Sequence, residues 1–202
     1  MKVLFIGNSH TFFNDMPYLF KQICLENNIN VDVTMLARGY KGLDYHCREP
    51  ETRFNILYGN YDYIILQHLQ SGFDKDVLFK SAEIIKKIAD SRTNSKILLY
   101  MTWTLKSERD KQLDMTNGYI EAGHKLNVPI IPVGVAWWRY FDMYPNNNLY
   151  FKDDKHASPL GSTLVAYTIF YSIFGYPAKT QNKDYAAMND IISECIKNYK
   201  KD

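Results

Sequence analysis

Hydrophobic positions along the chain occur in short runs that alternate with longer amphipathic segments. The short runs predict strands at 2–6, 31–35, 63–66, 96–101 and 130–132. Several of these runs are continuously apolar rather than alternating, which is typical of parallel strands buried on both faces. The segments between and after them predict helices at 16–27, 77–91, 107–126, 135–144, 159–174 and 185–199.

The helical prediction is clearest for 77–91, where apolar residues recur with helical spacing. These residues are Leu78, Ala82, Ile85, Ile88 and Ala89. The alternation of strands with helices predicts an α/β fold in which an open parallel sheet is covered by helices on both faces. The sequence shows no internal repeat, low-complexity tract or linker, so we expect one domain spanning 1–202.

Composition and charge narrow the functional classes. With 46% hydrophobic and 23% charged residues, the chain fits a soluble domain with a sizeable core. A net charge of +2 and the absence of a basic stripe argue against nucleic acid or an anionic membrane surface as a partner. No apolar run reaches the length of a bilayer span.

The three cysteines are widely spaced and form no zinc-binding or redox motif, so we expect a reduced compartment. Because the first predicted strand starts at Lys2, we expect no signal peptide before the fold. These features favour a cytoplasmic protein without a metal or an organic cofactor, while the oligomeric state stays open.

Candidate functional residues follow the carboxyl ends of the predicted strands, which is where a parallel α/β sheet binds its ligands. Ser9 follows the first strand, Gly39 the second, Gln67 the third and Trp103 the fourth. Because the carboxyl ends of parallel strands lie at one edge of the sheet, we expect these residues to gather there.

Far downstream, Asp153 and His156 stand just before a helix start at Ser158-Pro159, a good N-cap followed by a good first helical residue. A serine hydroxyl becomes a nucleophile when a base removes its proton. His156 is the candidate base, and Asp153 lies close enough to hold the other imidazole nitrogen, although Asp154 is an alternative. The pattern therefore predicts acyl transfer through Ser9.

A tetrahedral intermediate also needs donors that stabilise its oxyanion. The backbone N–H groups of Ser9 and Gly39 are candidates, and the side-chain amide of Gln67 could supply a third donor. His68, beside Gln67, is an alternative for that third position. His10, His68 and Trp103 could form a substrate wall, although packing is the commoner role for such residues.

The blocks that contain these residues resemble those of the SGNH hydrolases, which include the GDSL esterases and lipases. The resemblance rests on Gly7-Asn8-Ser9-His10, Gly39, Leu66-Gln67 and 153–164, and it looks most like a bacterial branch that starts with Gly-Asn-Ser. Segments 100–103 and 132–137 look like the same branch, so the resemblance spans most of 1–175.

This resemblance implies a flavodoxin-like, three-layer α/β/α sandwich with a mostly five-stranded parallel sheet. It also implies Ser9 as nucleophile, His156 as base, Asp153 as its orienting partner, and an oxyanion hole from Ser9, Gly39 and the third block. Two blocks depart from the common pattern. The first is usually Gly-Asp-Ser, and the third is usually Gly-x-Asn-Asp, where this chain has 66–69 as Leu-Gln-His-Leu.

The leading functional hypothesis is a serine hydrolase that cleaves small carboxylic esters through an acyl-serine intermediate. The expected partner is a small-molecule ester or an acetylated carbohydrate, which would make the protein a carbohydrate O-acetylesterase. One alternative is an acyltransferase or thioesterase that uses the same residues. Another is a catalytically silent carbohydrate-binding module that keeps the fold. Separately, Ser9 could be only a turn residue after the strand, and Gly39 could only supply a positive φ angle for a turn.

Overall fold

The computed structural model describes residues 1–199, so residues 200–202 of the predicted domain lie outside the described residues. A five-stranded, all-parallel sheet in the order β2-β1-β3-β4-β5 forms its centre. The strands are β1 (Lys2–Gly7), β2 (Asp32–Ala37), β3 (Tyr63–Gln67), β4 (Lys96–Tyr100) and β5 (Ile130–Ile131). All five predicted strands are confirmed, with ends that differ by one or two residues.

Helices connect and cover the strands. They are α1 (Ser9–Phe12), α2 (Met16–Glu26), α3 (Leu43–His46), α4 (Pro50–Tyr58), α5 (Lys75–Asp90), α6 (Gln112–Leu126), α7 (Val133–Met143), α8 (Pro159–Phe174) and α9 (Lys183–Tyr199). Two short 3₁₀ turns lie at Phe13–Asp15 and Lys106–Lys111. Within residues 1–199, no helix combines the length and apolarity needed to cross a bilayer.

One predicted helix needed correction, and three short helices were missed. The predicted helix 107–126 is divided, because Glu108 has φ −119° and ψ 34° and the regular helix begins only at Gln112. The short helices α1, α3 and α4 were not predicted. They are too short for an apolar period to stand out, and α4 exposes most of its residues.

Alternate residues of each inner strand face two separate cores, which gives the three layers. Val3 and Phe5 pack with α2, α7, α8 and α9 on one side of the sheet. Leu4 and Ile6 pack with α3 to α6 on the other side. The predicted three-layer α/β/α sandwich with its five-stranded parallel sheet is therefore confirmed.

The strand register brings the carboxyl ends of the strands to one edge. Gly7 pairs with Ala37, Ile6 with Leu66, and Gln67 with Tyr100. From β1 the chain continues to β2 on one side, and β3 then returns to the other side of β1. This reversal of strand order is where open α/β sheets bind ligands, and Ser9 stands directly above it.

Candidate active site

A close approach between two strand ends positions Ser9. At Gly7, an added Cβ would lie 2.5 Å from Gln67 Oε1 and 2.5 Å from Thr11 Oγ1, so only glycine fits. Asn8 then ends the strand and caps α1, its Oδ1 accepting a hydrogen bond from His10 N–H at 3.1 Å. Ser9 is therefore the first residue of α1, directly after the carboxyl end of β1.

A tight loop places His156 opposite Ser9. Tyr150 and Ala157 form an antiparallel bridge at its base, and Phe151 N–H donates to the His156 carbonyl at 2.7 Å. The α8 helix starts directly afterwards, where Ser158 Oγ accepts a hydrogen bond from Gly161 N–H at 3.1 Å. The predicted N-cap at Ser158 is thus confirmed, and the cap fixes where the loop ends.

The structure brings Ser9, His156 and Asp153 into one hydrogen-bonded line. His156 Nε2 lies 2.8 Å from Ser9 Oγ, and His156 Nδ1 lies 2.6 Å from Asp153 Oδ2. Asp154, the alternative carboxylate, instead lies 3.5 Å from Lys106 Nζ. Of the two neighbouring acids, Asp153 is therefore the one that holds the imidazole.

Asp153 is held in its ionised form. Partial burial raises the pKa of its carboxyl, but hydrogen bonds from the His156 ring and from the backbone N–H groups of His156 and Lys155 lower that pKa to about 2 overall. A carboxylate that stays charged at neutral pH can stabilise an imidazolium on the adjacent ring.

Two residues that the sequence analysis missed hold the His156 loop from the N-terminal side. The Phe13 ring stacks on the His156 ring, with centroids 4.3 Å apart and planes inclined by 9°. Asn14, in the left-handed region at φ 53°, donates from Nδ2 to the Ala157 carbonyl at 2.9 Å and to Ser162 Oγ at 2.9 Å. Their only signal in the sequence is nearness to Ser9.

His10 lies behind the imidazole of His156. Its ring centroid is 5.4 Å from that of His156 and 5.1 Å from that of Trp103, and its side chain is 4% exposed. Neither ring nitrogen has a hydrogen-bond partner among the side chains and backbone groups that the structure describes. Burial is the main cause that lowers the pKa of His10 to about 3, and the neighbouring His156 and Lys155 lower it further, so this ring stays neutral.

The other two residues predicted as a substrate wall are buried as well. Trp103 stacks on Trp137 with centroids 3.9 Å apart, and its Nε1–H donates to the Lys155 carbonyl at 3.0 Å. His68 Nδ1 accepts a hydrogen bond from Leu43 N–H at 3.1 Å, and burial lowers the pKa of His68 to about 4. His10, His68 and Trp103 are therefore buried packing residues, the commoner of the two roles considered for them, and the possible substrate wall is not formed by their exposed surfaces.

Gln67 is fully buried, and the structure does not bring its amide to the expected oxyanion position. Its Oε1 accepts hydrogen bonds from Asn8 N–H at 2.8 Å and from Thr11 Oγ1 at 3.0 Å, while its Nε2 donates to the His68 carbonyl. The long side chain turns back beneath the end of β1, where it joins the first and third strands. Its predicted role as third donor is replaced by a positioning role under Ser9.

The loop that contains Gly39 is fixed beside the end of β1. Arg38 N–H donates to the Gly7 carbonyl at 3.0 Å, and Asn8 Nδ2 donates to the Lys41 carbonyl at 3.0 Å. Gly39 is exposed, and an added Cβ would meet nothing within 4 Å.

The alternative role for Gly39, a turn that needs positive φ, is not supported. Its φ lies outside the left-handed region, and the neighbouring Tyr40 adopts φ 60° instead. The Tyr40 ring centre is 4.9 Å from Lys155 Nζ, so this loop also contacts the loop of His156. The two residues that flank Gly39 therefore contact the end of β1 and the loop of His156.

The structure explains why position 8 is asparagine, where the common Gly-Asp-Ser block has aspartate. Its amide both accepts from His10 N–H and donates to the Lys41 carbonyl. A carboxylate could make the first contact but would place a second acceptor against the Lys41 carbonyl. The asparagine therefore joins the loops after β1 and β2, which aspartate could not do.

The described part of the chain, residues 1–199, contains no group of three or more histidine, cysteine, aspartate or glutamate side chains arranged to hold a metal ion.

No family model matches the sequence, and no curated protein does either. Solved structures do match. A DUF4886 family protein from Bacteroides uniformis superposes with a TM-score of 0.79 at 16% identity, over 97% of this chain and 94% of its own. An acetyl xylan esterase, AlAXEase, superposes with a TM-score of 0.69 at 18% identity, over 86% of this chain and 100% of its own. A protein described as a putative GDSL-like lipase from Parabacteroides merdae superposes with a TM-score of 0.67 at 15% identity, over 85% of this chain and 94% of its own.

The chain therefore has the fold of these solved structures, which is the fold that its resemblance to the SGNH hydrolases implied. These sequence identities are low, so the comparison establishes the fold and leaves the substrate open. In this fold, Ser9 follows the carboxyl end of β1, and His156 and Asp153 are hydrogen-bonded to it in turn.

Proposed function

We propose that this protein is a serine hydrolase that cleaves small carboxylic esters through an acyl-serine intermediate. The observation that supports this proposal is the continuous line from Ser9 Oγ through His156 to Asp153, with contacts of 2.8 and 2.6 Å. Such a line converts an unreactive hydroxyl into a nucleophile at neutral pH. A turn serine and a loop histidine without a catalytic role would not need this alignment.

In the first half of the reaction, Ser9 Oγ attacks the ester carbonyl while His156 Nε2 accepts the hydroxyl proton. Asp153 stabilises the imidazolium that forms and keeps the ring in the tautomer that accepts at Nε2. Collapse of the tetrahedral intermediate breaks the bond to the alcohol, which leaves with the proton from His156. The acyl group stays on Ser9.

In the second half, a water molecule attacks the acyl-serine and gives one proton to His156. The intermediate collapses, the carboxylic acid leaves, and Ser9 Oγ regains its proton from the imidazolium. The neutral His10 helps at this stage, because a charged ring 5.4 Å away would oppose the positive charge on His156.

We assign the oxyanion hole to the backbone N–H groups of Ser9 and Gly39. Ser9 is the first residue of α1, a position whose N–H is not used by the helix itself. Gly39 lies in the loop that is bonded to the end of β1. Each donor of this kind contributes about 3–4 kcal/mol to transition-state stabilisation, so two suffice for a large rate effect.

The substrate that we favour carries a short acyl group, with acetyl esters of carbohydrates as the first class to test. One structural neighbour is named an acetyl xylan esterase, although it shares only 18% identity with this chain. Acyl transfer to an alcohol and cleavage of a thioester would use the same three side chains, and product analysis separates them from hydrolysis.

The test combines turnover with covalent labelling. Wild-type protein should hydrolyse p-nitrophenyl acetate and gain one adduct mass with a fluorophosphonate. Ser9→Ala should lose the adduct and about 10³–10⁶-fold of kcat, and His156→Ala should lose comparable activity. Ser107→Ala, an exposed serine, is the matched control and should behave as wild type.

Full turnover in Ser9→Ala or in His156→Ala would rule out this assignment. A wild-type protein that neither reacts with the fluorophosphonate nor hydrolyses any ester would favour the silent binding module.

A further inference from the structure

The central sheet has two edge strands that differ in length. β5 has two residues, Ile130–Ile131, whereas β2 at the other edge has six, Asp32–Ala37. A short edge offers little to another strand, but a long one presents a row of unpaired backbone groups. Proteins usually protect such an edge with lysine, proline or a bulge. Residues 33–37 read Val-Thr-Met-Leu-Ala and pair with β1 without a bulge, so β2 has none of these protections.

Alternate residues of β2 form its outer side. The N–H groups of Asp32 and Arg38 donate to the Met1 and Gly7 carbonyls at 2.9 and 3.0 Å, so the even-numbered residues bond to β1. Within residues 1–199, β1 is the one strand that pairs with β2. Successive residues of a strand direct their backbone groups to opposite sides. The residues whose N–H and C=O groups point away from the sheet are therefore Val33, Met35 and Ala37.

Exposed apolar side chains of α2 lie on one flank of this edge. Tyr18 and Leu25 are both exposed and share a helical stripe with Lys21. Lys21 Nζ lies 3.4 Å from Asp32 Oδ1, which places this stripe of α2 next to the start of β2.

The other face of the sheet has a similar flank on α4. Phe54 and Tyr58 are exposed, with ring centroids 5.0 Å apart, and they share a helical stripe with Glu51. Glu51 Oε2 lies 3.9 Å from Arg38 Nη2, so this stripe begins at the end of β2. Together with Met35 on the strand, these two stripes contain half of the large hydrophobic residues that are exposed in residues 1–199. Apolar surface gathered in this way marks an interaction site.

The charges at the two ends of β2 are opposite in sign. Asp32 begins the strand, Arg38 follows it, and both side chains are exposed. If a second β2 lies antiparallel, with the two Met35 residues opposite each other, Asp32 of each copy faces Arg38 of the other. Val33 then faces Ala37, so the residues with outward backbone groups form the hydrogen-bonded pairs. Backbone bonding and charge pairing therefore agree on one register.

We infer that two copies of this chain associate through β2, antiparallel and centred on Met35, to give one continuous sheet across the dimer. A second copy is the partner that this edge fits, because a twofold interface must be self-complementary. A strand of another protein would not require opposite charges at equal distances from Met35. The net charge of +2 is too small to oppose self-association. The inference is independent of the proposed function, since none of the candidate catalytic side chains takes part.

The test is sedimentation velocity of the full chain between about 1 and 100 µM. Wild type should sediment as a dimer at the upper end of this range. Asp32→Arg would place two guanidinium groups opposite each other, and Arg38→Asp would do the same with two carboxylates. Each reversal should therefore raise the dimer dissociation constant about tenfold or more. Asp114→Arg, the same change of charge at an exposed position on α6, is the matched control and should dimerise like wild type.

An equimolar mixture of the two reversals separates a specific interface from a folding defect. In the mixed dimer every guanidinium of one variant faces a carboxylate of the other, so the mixture should associate although each variant alone dissociates. Amide hydrogen exchange gives a second readout. The N–H groups of Val33, Met35 and Ala37 should be protected in wild type at about 100 µM and should exchange freely in Arg38→Asp.

Three results would overturn the inference. The first is a wild-type chain that stays monomeric over the whole concentration range, which would leave the edge free or reserve it for a different protein. The second is a dimer whose dissociation constant changes in neither reversal, because its contact would then lie on another face. The third is a mixture of the two reversals that stays monomeric, because the proposed register makes their charges complementary.

Discussion

Replacing His10 by phenylalanine should remove a large part of the acid sensitivity of this protein. His10 is buried beside His156 with both ring nitrogens unpartnered in the described chain, and its pKa is lowered to about 3. In the unfolded chain the same imidazole has its ordinary pKa of about 6.5. Between these values the unfolded state binds a proton that the folded state cannot.

The sign and the size of the effect follow from this difference. Because the unfolded state binds more protons between pH 3 and pH 6.5, the free energy of unfolding falls as the pH falls through that window. At pH 5 the unfolded imidazole is about 1.5 units below its pKa, and each unit corresponds to about 1.36 kcal/mol. His10 should therefore cost about 2 kcal/mol of stability between pH 7 and pH 5.

The assay is urea unfolding of wild type and His10→Phe at pH 7 and at pH 5, followed by circular dichroism. The difference in unfolding free energy between the two pH values should be about 2 kcal/mol smaller in the variant, equivalent to about 1 M urea in the midpoint. Any strain from the larger ring cancels, since it is present at both pH values. His46 and His68 are present in both proteins and cancel as well.

Asp153 does not contribute to the difference in unfolding free energy between pH 7 and pH 5, because its lowered pKa affects stability only below about pH 4. His124→Phe, which changes an exposed histidine on α6, is the matched control and should keep the wild-type pH dependence. If His10→Phe keeps the full wild-type loss of stability between pH 7 and pH 5, the argument from burial is refuted.

Three further predictions concern the site. Asp153→Asn should lower kcat about 10²–10⁴-fold on p-nitrophenyl acetate, since the imidazole loses its anionic partner, and an unchanged kcat would contradict that role. Asn8→Asp should lower the unfolding free energy by about 1–3 kcal/mol in urea titrations, because a carboxylate would face the Lys41 carbonyl, whereas equal stability would contradict this account. Gly7→Ala should lower the unfolding free energy by about 1–3 kcal/mol, because its methyl group would lie 2.5 Å from Gln67 Oε1, and a stable variant would show that the contact relaxes freely.

The sheet and the long helices were predictable because their signals are strong and repeated. A strand such as Tyr63–Gln67 is continuously apolar because the sheet is buried on both faces. A helix such as Lys75–Asp90 has a helical apolar period because it is buried on one face. The division at Glu108 was not predictable, because it depends on how the segment meets the rest of the fold. The short α3 and α4 have too few turns to show a period.

For the site, the sequence predicted which side chains would meet but not how their neighbours would turn. Ser9 and His156 were placed by strand ends and by a helix start, both of which are local features. Gln67 was expected to face the substrate, and its extra methylene instead lets it fold back under Asn8. Phe13 reaches the His156 ring only through the three-dimensional path of the chain.

The distance along the chain between the Ser9 hydroxyl and the His156 imidazole has a consequence for protein synthesis. Ser9 and His156 are 147 positions apart, and Asn14 bonds to Ala157 across 143 positions. A growing polypeptide on the ribosome therefore exposes its hydroxyl long before the matching imidazole emerges. Fragments that end before His156 should therefore not hydrolyse esters. If two separately expressed pieces of the chain reassemble, hydrolysis of a chromogenic ester should return and would report the reassembly.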